Sequence, residues 1–164
     1  MASTAIARTP GTDIEALLIG GDLSKLSGDQ RVTYYKAVCE SVGLNPLTQP
    51  FEYLVLSNKL RLYARKDCTD QLRKIHGVSV VEMADQMLEG VYLVTCTVSD
   101  KTGRSDIAKG AVFVKGLSGE ALANALMKTE TKAKRRATLS ICGLGMLDET
   151  EVDDTPNARP APPA

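Results

Sequence analysis

Four cations recur on one side of residues 117–147, LSGEALANALMKTETKAKRRATLSICGLGML. At about 100° per residue, Lys128, Lys132, Arg135 and Arg136 fall within one arc of a helix, over about two turns. Such a stripe can hold the phosphates of a nucleic-acid backbone by charge. The same pattern is also typical of the solvated face of a surface helix, and spacing alone does not separate the two interpretations.

An apolar arc beside these cations must bury the helix. Its members are Leu122, Leu126, Ala133, Ala137, Ile141 and Leu144. Residues 117–147 therefore predict one long helix that packs on a core with one side and carries charge on the adjacent side. Ser118 is a suitable N-cap, and Gly143 and Gly145 favour an end or a distortion near the last turn.

A second basic surface is predicted on a β-hairpin. Residues 51–56 and 59–65 alternate as two strands around a turn at Ser57-Asn58. One face is apolar, and the other carries Glu52, Leu54, Leu56, Lys59, Arg61, Tyr63 and Arg65. Cations with an interleaved aromatic suit single-stranded nucleic acid. A solvated sheet face with one tolerated tyrosine is the alternative.

The remaining periodicity predicts the elements that must support these two surfaces. We expect helices at 14–20, 30–42 and 68–76, the last capped by Asp67 with Leu72 and Ile75 facing inward, and strands at 78–83, 91–99 and 105–115. Residues 91–99 are apolar on both parities, which predicts a strand covered on both faces. The fold class is α+β, a small antiparallel sheet with a hairpin, packed by helices and followed by the long basic helix.

Charge is segregated along the 164 residues, although the net charge is zero. Residues 148–164 hold five acids, one base and four of the seven prolines, which leaves 19 bases and 15 acids on residues 1–147. We expect a disordered N-terminus at 1–11, one core domain at 12–147 and a disordered acidic tail at 148–164. The tail could compete with DNA for the basic surfaces or recruit a partner; an inert tail is the alternative.

Several classes of protein are disfavoured. The four cysteines have no paired spacing and the chain has one histidine, so no zinc site is predicted, and buried thiols in a reducing cytoplasm are expected. His76 is interpreted as a helix-end residue. No run has the length of a signal peptide or membrane span. Without a P-loop, a paired metal-carboxylate motif or a Cys–His pair, an enzyme is not expected.

Three segments together resemble a known family. They are 43–56 (GLNPLTQPFEYLVL), 59–75 (KLRLYARKDCTDQLRKI) and 128–149 (KTETKAKRRATLSICGLGMLDE). The phage single-strand annealing proteins of the RecT and lambda Beta group have an Asn-Pro element before a hairpin, a Lys-Asp or similar pair opening a helix, and a basic helix late in the core. The resemblance covers about residues 30–149, most of the chain expected to fold.

The resemblance implies an ATP-independent recombinase of the bacterial cytoplasm. Such proteins coat single-stranded DNA, pair it with a complementary strand, hold the annealed duplex in an oligomeric ring or helical filament, and often act with a phage exonuclease. It implies no catalytic residue or resident cofactor, and leaves Mg²⁺ during annealing open. The DNA-contacting cations of the family would fall at Arg61, Arg65, Lys66, Lys132, Arg135 and Arg136.

Tyr63 and Lys128 join this candidate site through the two surfaces described above. The apolar N-terminal helix is a candidate subunit contact, with packing on its own core as the alternative. Two other functions are alternatives. A protein that only protects single strands would use the same residues, whereas a module that binds other proteins would not need them.

Overall fold

The computed structural model describes residues 21–152 and 157–163. The predictions for residues 1–20, including the N-terminal helix and its subunit contact, lie outside these ranges. The helices are α1 (Gly28–Val42), α2 (Lys66–His76), α3 (Gly119–Ile141) and α4 (Glu149–Val152). The strands are β1 (Phe51–Leu56), β2 (Lys59–Ala64), β3 (Ser79–Leu88), β4 (Val91–Ser99), β5 (Ser105–Phe113) and β6 (Arg159–Pro160). The predicted α+β class is confirmed.

The predicted hairpin is confirmed in its register. β1 and β2 pair antiparallel from Phe51↔Ala64 to Leu56↔Lys59, which leaves Ser57 and Asn58 as the two-residue turn. Both turn residues have positive φ, at 50° and 60°, as tight hairpin turns with the twist of the strands require. β6 pairs with the other edge of β1, so the first sheet has the order β2-β1-β6.

Helices α1 and α2 cover the apolar face of the hairpin. The shared core comprises Cys39, Leu44, Phe51, Ala64, Cys68, Leu72 and Leu139. α1 begins with a capping box between Ser27 and Gln30, and it ends at Gly43, whose φ of 74° suits glycine. These contacts fix the hairpin so that its opposite face points away from the core.

Two predictions for α2 are wrong. The helix begins at Lys66 with Arg65 as the N-cap residue, so Asp67 lies in the first turn and is not the cap. Ile75 is 44% exposed, whereas Leu72 is fully buried as predicted. The helix therefore buries a narrower stripe than the spacing of its two apolar residues indicates.

The second sheet has the order β3-β4-β5, and α3 packs across β4 and β5. Val94, Cys96 and Val98 of β4 are buried against α3, but the alternate residues of β4 are only half-buried. On the same side as those alternate residues, Ile107 and Phe113 are 60% and 62% exposed. The prediction that β4 is covered on both faces is therefore wrong within the described part of the chain.

The long helix is shorter than residues 117–147 predict. α3 ends at Ile141, Cys142 is the C-cap residue, and Gly143 has a φ of 75°. The left-handed conformation at Gly143 turns the chain out of the helix. Leu144 reaches the core from the following loop rather than from the helix.

The described parts of the acidic tail, within residues 148–152 and 157–163, contain short elements that contact the core. Asp148 is fully buried, α4 follows it, and β6 pairs with β1 through Leu54↔Pro160 and Val55↔Arg159. The carbonyl of Pro162 accepts a hydrogen bond from Arg31 Nη1 at 3.2 Å. These contacts join short parts of the tail to the first sheet and to α1.

Candidate nucleic-acid interface

The outward face of the hairpin carries Arg61, Tyr63 and Arg65 around a carboxylate. Arg61 is exposed. The Tyr63 hydroxyl donates to Glu52 Oε2 at 2.8 Å, and Arg65 Nε lies 3.9 Å from the same oxygen. Arg65 Nη1 also donates to Gln49 Oε1 at 3.3 Å. Glu52 therefore fixes the tyrosine and offsets part of the charge of Arg65.

The strand register explains why Glu52 contacts Tyr63 and why the outward face of the hairpin keeps a net positive charge. Glu52 lies directly opposite Tyr63 in the ladder, within reach of its hydroxyl. With Lys59, this face carries three cations and one carboxylate. Leu54, on the same face, is only 5% exposed, so the face is not uniformly solvated. The outer part of the hairpin is net cationic and contains one half-buried aromatic ring.

Lys66 is the first residue of α2, directly after the hairpin. The first N–H groups of a helix lack partners within it, and the helix dipole favours anions there. None of the described side chains caps this N-terminus. The backbone at the end of the hairpin therefore adds to the positive potential of Arg61 and Arg65.

The cations of α3 do not form one uniform surface stripe. Lys128, Lys132 and Arg136 recur at four-residue intervals over about 12 Å of helix axis. Lys128 and Lys132 are half-buried, and the Lys132 turn lies against Gly110 of β5. Arg136 has 48% of its side chain exposed and pairs with Glu151, Nη1 to Oε1 at 2.6 Å.

Arg135 is buried and serves a structural contact. Its residue is 8% exposed, and its Nε lies 3.7 Å from Oδ2 of Asp148, which is fully buried. The pair ties the segment that follows α3 back to the helix. Arg135 and Arg136 are adjacent in sequence, yet one guanidinium lies in the interior and the other at the surface.

The segment 147–151 brings the end of the hairpin and the last turns of α3 together. The Ala64 N–H donates to the Leu147 carbonyl at 2.9 Å, and Ala64 forms a parallel bridge with Asp148. Asp148 and Glu151 in turn contact the two arginines of α3. Arg65 and Lys66 directly follow Ala64 in the chain. Residues 147–151 therefore link this end of the hairpin to Arg136. Lys128 and Lys132 belong to a separate region, over the second sheet.

Sequence reasoning did not find the acidic partners of these cations. Asp148 followed three residues later by Glu151 has the pattern of a capping box, which is a sequence signal for a helix start. Both bonds of the box are present, from Glu151 N–H to Asp148 Oδ1 at 3.1 Å and from Asp148 N–H to Glu151 Oε2 at 3.2 Å. This signal would have predicted α4 inside the acidic tail.

The cysteines are free thiols in the core, as predicted. Cys39, Cys68 and Cys96 are buried and Cys142 is half-buried. Burial raises the pKa of the Cys68 thiol to about 12 and raises the pKa of the other three thiols. The thiols therefore stay protonated at neutral pH and act as small apolar side chains.

His76 ends α2, as predicted, and its Nε2 lies 3.1 Å from the Val42 carbonyl oxygen. The oxygen is only an acceptor, so this nitrogen donates. Across the ranges 21–152 and 157–163, no group of three or more His, Cys, Asp or Glu side chains is arranged to hold a metal ion. None of the described helices combines the length and apolarity needed to span a membrane.

The fold and these contacts define an α+β domain with two antiparallel sheets and cations on two separate elements. No protein-family model, curated protein or solved structure matches this chain. Function must therefore be inferred from the residues and contacts of the chain itself.

Proposed function

We propose that this protein binds single-stranded DNA without sequence preference and anneals complementary strands without ATP, as the phage annealing proteins that it resembles do. The observation that carries the proposal is the cationic outward face of the hairpin, with Arg61 exposed and the Tyr63 hydroxyl fixed on Glu52. Residues 147–151 connect this face to the Arg136 end of α3.

Annealing makes and breaks no covalent bond, which suits this set of residues. Two polyanions repel each other, and Lys or Arg contacts to phosphate lower that repulsion without reading the base sequence. The bases must remain accessible to a second strand. The outer part of the β1–β2 face, where Arg61 is exposed, can hold the phosphates of one strand while the half-buried Tyr63 ring stacks on a base.

The interface in this proposal comprises Arg61, Tyr63, Arg65 and Lys66, with Arg136 across the connecting segment and Lys128 and Lys132 over the second sheet. Arg135 is omitted because its guanidinium is buried with Asp148. A domain of this size contacts only a few nucleotides, so we propose that copies assemble side by side in a ring or filament. The proposal also includes Mg²⁺ during annealing and an exonuclease that acts with this protein in the cytoplasm.

The binding part of the proposal is tested with a fluorescent oligothymidine and anisotropy over a salt series. Arg61→Ala should weaken binding and flatten the log–log salt slope by about 0.7 for one lost phosphate contact. Lys115→Ala is the matched control, since this exposed cation lies beyond β5 in the second sheet and the charge change is equal. Equal affinity and slope for Arg61→Ala and wild type would refute the role of the hairpin.

The α3 cations are tested separately with Lys132→Ala combined with Arg136→Ala. Loss of both contacts should flatten the slope by up to about 1.4 at 0.7 per contact, and by about 0.7 if the Glu151 carboxylate offsets the contribution of Arg136. Unchanged affinity and slope would remove α3 from the interface while leaving the hairpin in place.

A module that binds another protein is the second candidate. The observation that favours it is the outward side of the second sheet, where Leu88, Ile107 and Phe113 are 51%, 60% and 62% exposed. Exposed apolar patches often mark protein contacts. This candidate gains support if no single-stranded DNA binds at low salt. Strand protection without annealing uses the same cations as annealing, and the pairing rate distinguishes the two.

A further inference from the structure

The carboxylate of Glu151 occupies an anion position beside α3. One of its oxygens lies 2.6 Å from Arg136 Nη1, and the other accepts the Asp148 N–H at 3.2 Å. The Glu151 side chain is 11% exposed, whereas that of Arg136 is 48% exposed. The arginine therefore faces solvent with one side and holds a nearly buried carboxylate with the other.

A short helix fixed at one end holds this carboxylate in place. Asp148 is anchored by the buried contact with Arg135, and its Oδ1 accepts the Glu151 N–H at 3.1 Å. α4 itself has four residues. Helices of this length are unstable without tertiary contacts. The contact of Glu151 with Arg136 is therefore one that α4 can lose while Asp148 remains anchored.

The two arginine–carboxylate pairs differ in how readily an outside anion can replace the acid. The Arg135–Asp148 pair is buried, with side chains 10% and 0% exposed, so a phosphate has no access to it. Arg136 is reachable from solvent. A guanidinium binds carboxylate and phosphate with the same planar set of donors, so a phosphodiester can take the place of the Glu151 carboxylate.

We infer that Arg136 is a phosphate-binding position of the DNA interface and that Glu151 occupies this position until single-stranded DNA displaces it. This inference rests on the proposed function. Glu151 thereby acts as an internal competitor of the nucleic-acid backbone. Weakly bound anions fail to displace it, whereas a strand held at the same time by the hairpin cations succeeds.

The direct test is Glu151→Gln in the full chain, measured with oligothymidine by anisotropy over a salt series. Removing the competing charge should tighten binding about two- to five-fold at low salt, in line with the strength of an ion pair whose arginine is exposed to solvent. The log–log slope should steepen by up to about 0.7, because in the wild type the displaced Glu151 carboxylate takes up a cation that offsets the one released from the phosphate, and the variant has no such carboxylate. Glu120→Gln is the matched control, with the same charge change at the other end of α3.

The inference also predicts coupling between the two residues. In an Arg136→Ala background, Glu151→Gln should bring no further tightening, because the position for which the acid competes is gone. Additive effects of the two substitutions would overturn the inference. So would equal affinity of Glu151→Gln and wild type while both bind DNA. If neither protein binds, the proposed function itself fails, and the inference fails with it.

A second measurement does not depend on how the variant folds. The N–H groups of Glu151 and Val152 bond to the Asp148 carbonyl at 3.1 and 3.2 Å in the chain alone. Displacement of Glu151 by DNA should open this turn and speed hydrogen exchange of these two amides in the wild-type complex. Slower exchange of these amides on DNA binding would overturn the inference.

Discussion

Gly110 lies where the backbone of α3 closely approaches β5, and its substitution by alanine tests this packing. A Cβ at position 110 would lie 2.5 Å from the Thr129 carbonyl oxygen, 2.7 Å from Ala133 N and 3.2 Å from Lys132 Cβ. Ordinary contact begins at 3.4 Å, so α3 must retreat by 0.9 Å at Thr129, the difference between 3.4 and 2.5 Å. Two of the three atoms belong to the helix backbone, and no side-chain rotation relieves those clashes.

Overpacking of a filled core costs about 1–3 kcal/mol, and a backbone neighbour places Gly110→Ala near the upper value. At about 2–4 °C per kcal/mol for a chain of this size, the melting temperature should fall by about 6–12 °C. Far-UV circular dichroism in urea and on heating measures both quantities. Because α3 also carries Lys132, the shift should weaken DNA binding even where the variant is folded.

Gly145→Ala is the matched control for Gly110→Ala. Nothing lies within 4 Å of a Cβ at position 145, and its φ is not in the left-handed region. Its unfolding free energy should stay within about 0.5 kcal/mol of wild type. A loss below about 0.5 kcal/mol for Gly110→Ala as well would refute the close approach of α3 to β5.

Two further predictions concern stability. Arg135→Ala should lower the unfolding free energy in urea by about 3–5 kcal/mol, because it leaves Asp148 buried without this arginine. Arg136→Ala, at the surface, should lower it by only about 0–1 kcal/mol. Equal losses for the two variants would contradict the difference in burial between the two arginines. Stability should also fall as the pH rises from 9 towards 12. The unfolded Cys68 thiol ionises from its ordinary pKa of 9.0, whereas burial holds the folded pKa at about 12. The unfolding free energy should fall with pH by up to about 1.4 kcal/mol per pH unit because of this thiol. This fall should be smaller in Cys68→Ala, and an identical alkaline stability profile for the variant and the wild type would refute the role of Cys68.

Local signals predicted the parts of the fold that local geometry controls. The hairpin follows from strand alternation and a two-residue turn at Ser57-Asn58, and both lie within fifteen residues of sequence. The end of α1 follows from Gly43 in the same way. Side chains that such elements present outward, including Arg61, were therefore predictable as candidate binding residues.

The different burial of Arg135 and Arg136, which the sequence did not predict, depends on contacts between distant segments. Helical periodicity places Arg135 and Arg136 on one stripe, but their partners lie after the end of the helix, at Asp148 and Glu151. Burial of Asp148 converts Arg135 into a structural residue. Periodicity carries no information on where the following chain packs, so it cannot separate the two arginines.

In the second sheet, too, a contact between distant segments decides which residues are buried. Alternation predicts which residues of β5 share a face, and Ile107 and Phe113 do. Which face α3 covers depends on the path of the chain through Gly110, where a missing side chain lets the helix approach. The spacing of apolar residues does not identify that side, because both faces of the strand carry them.

The most direct test of the proposed annealing function is the pairing rate of two complementary fluorescent oligonucleotides, measured with the protein and without nucleotide. A non-complementary pair and the Arg61→Ala variant are the controls. The proposal predicts faster pairing for complementary strands alone, reduced by Arg61→Ala and by added salt. Clear binding with slowed pairing would contradict annealing and indicate strand protection, and an absence of binding would favour the protein-interaction module.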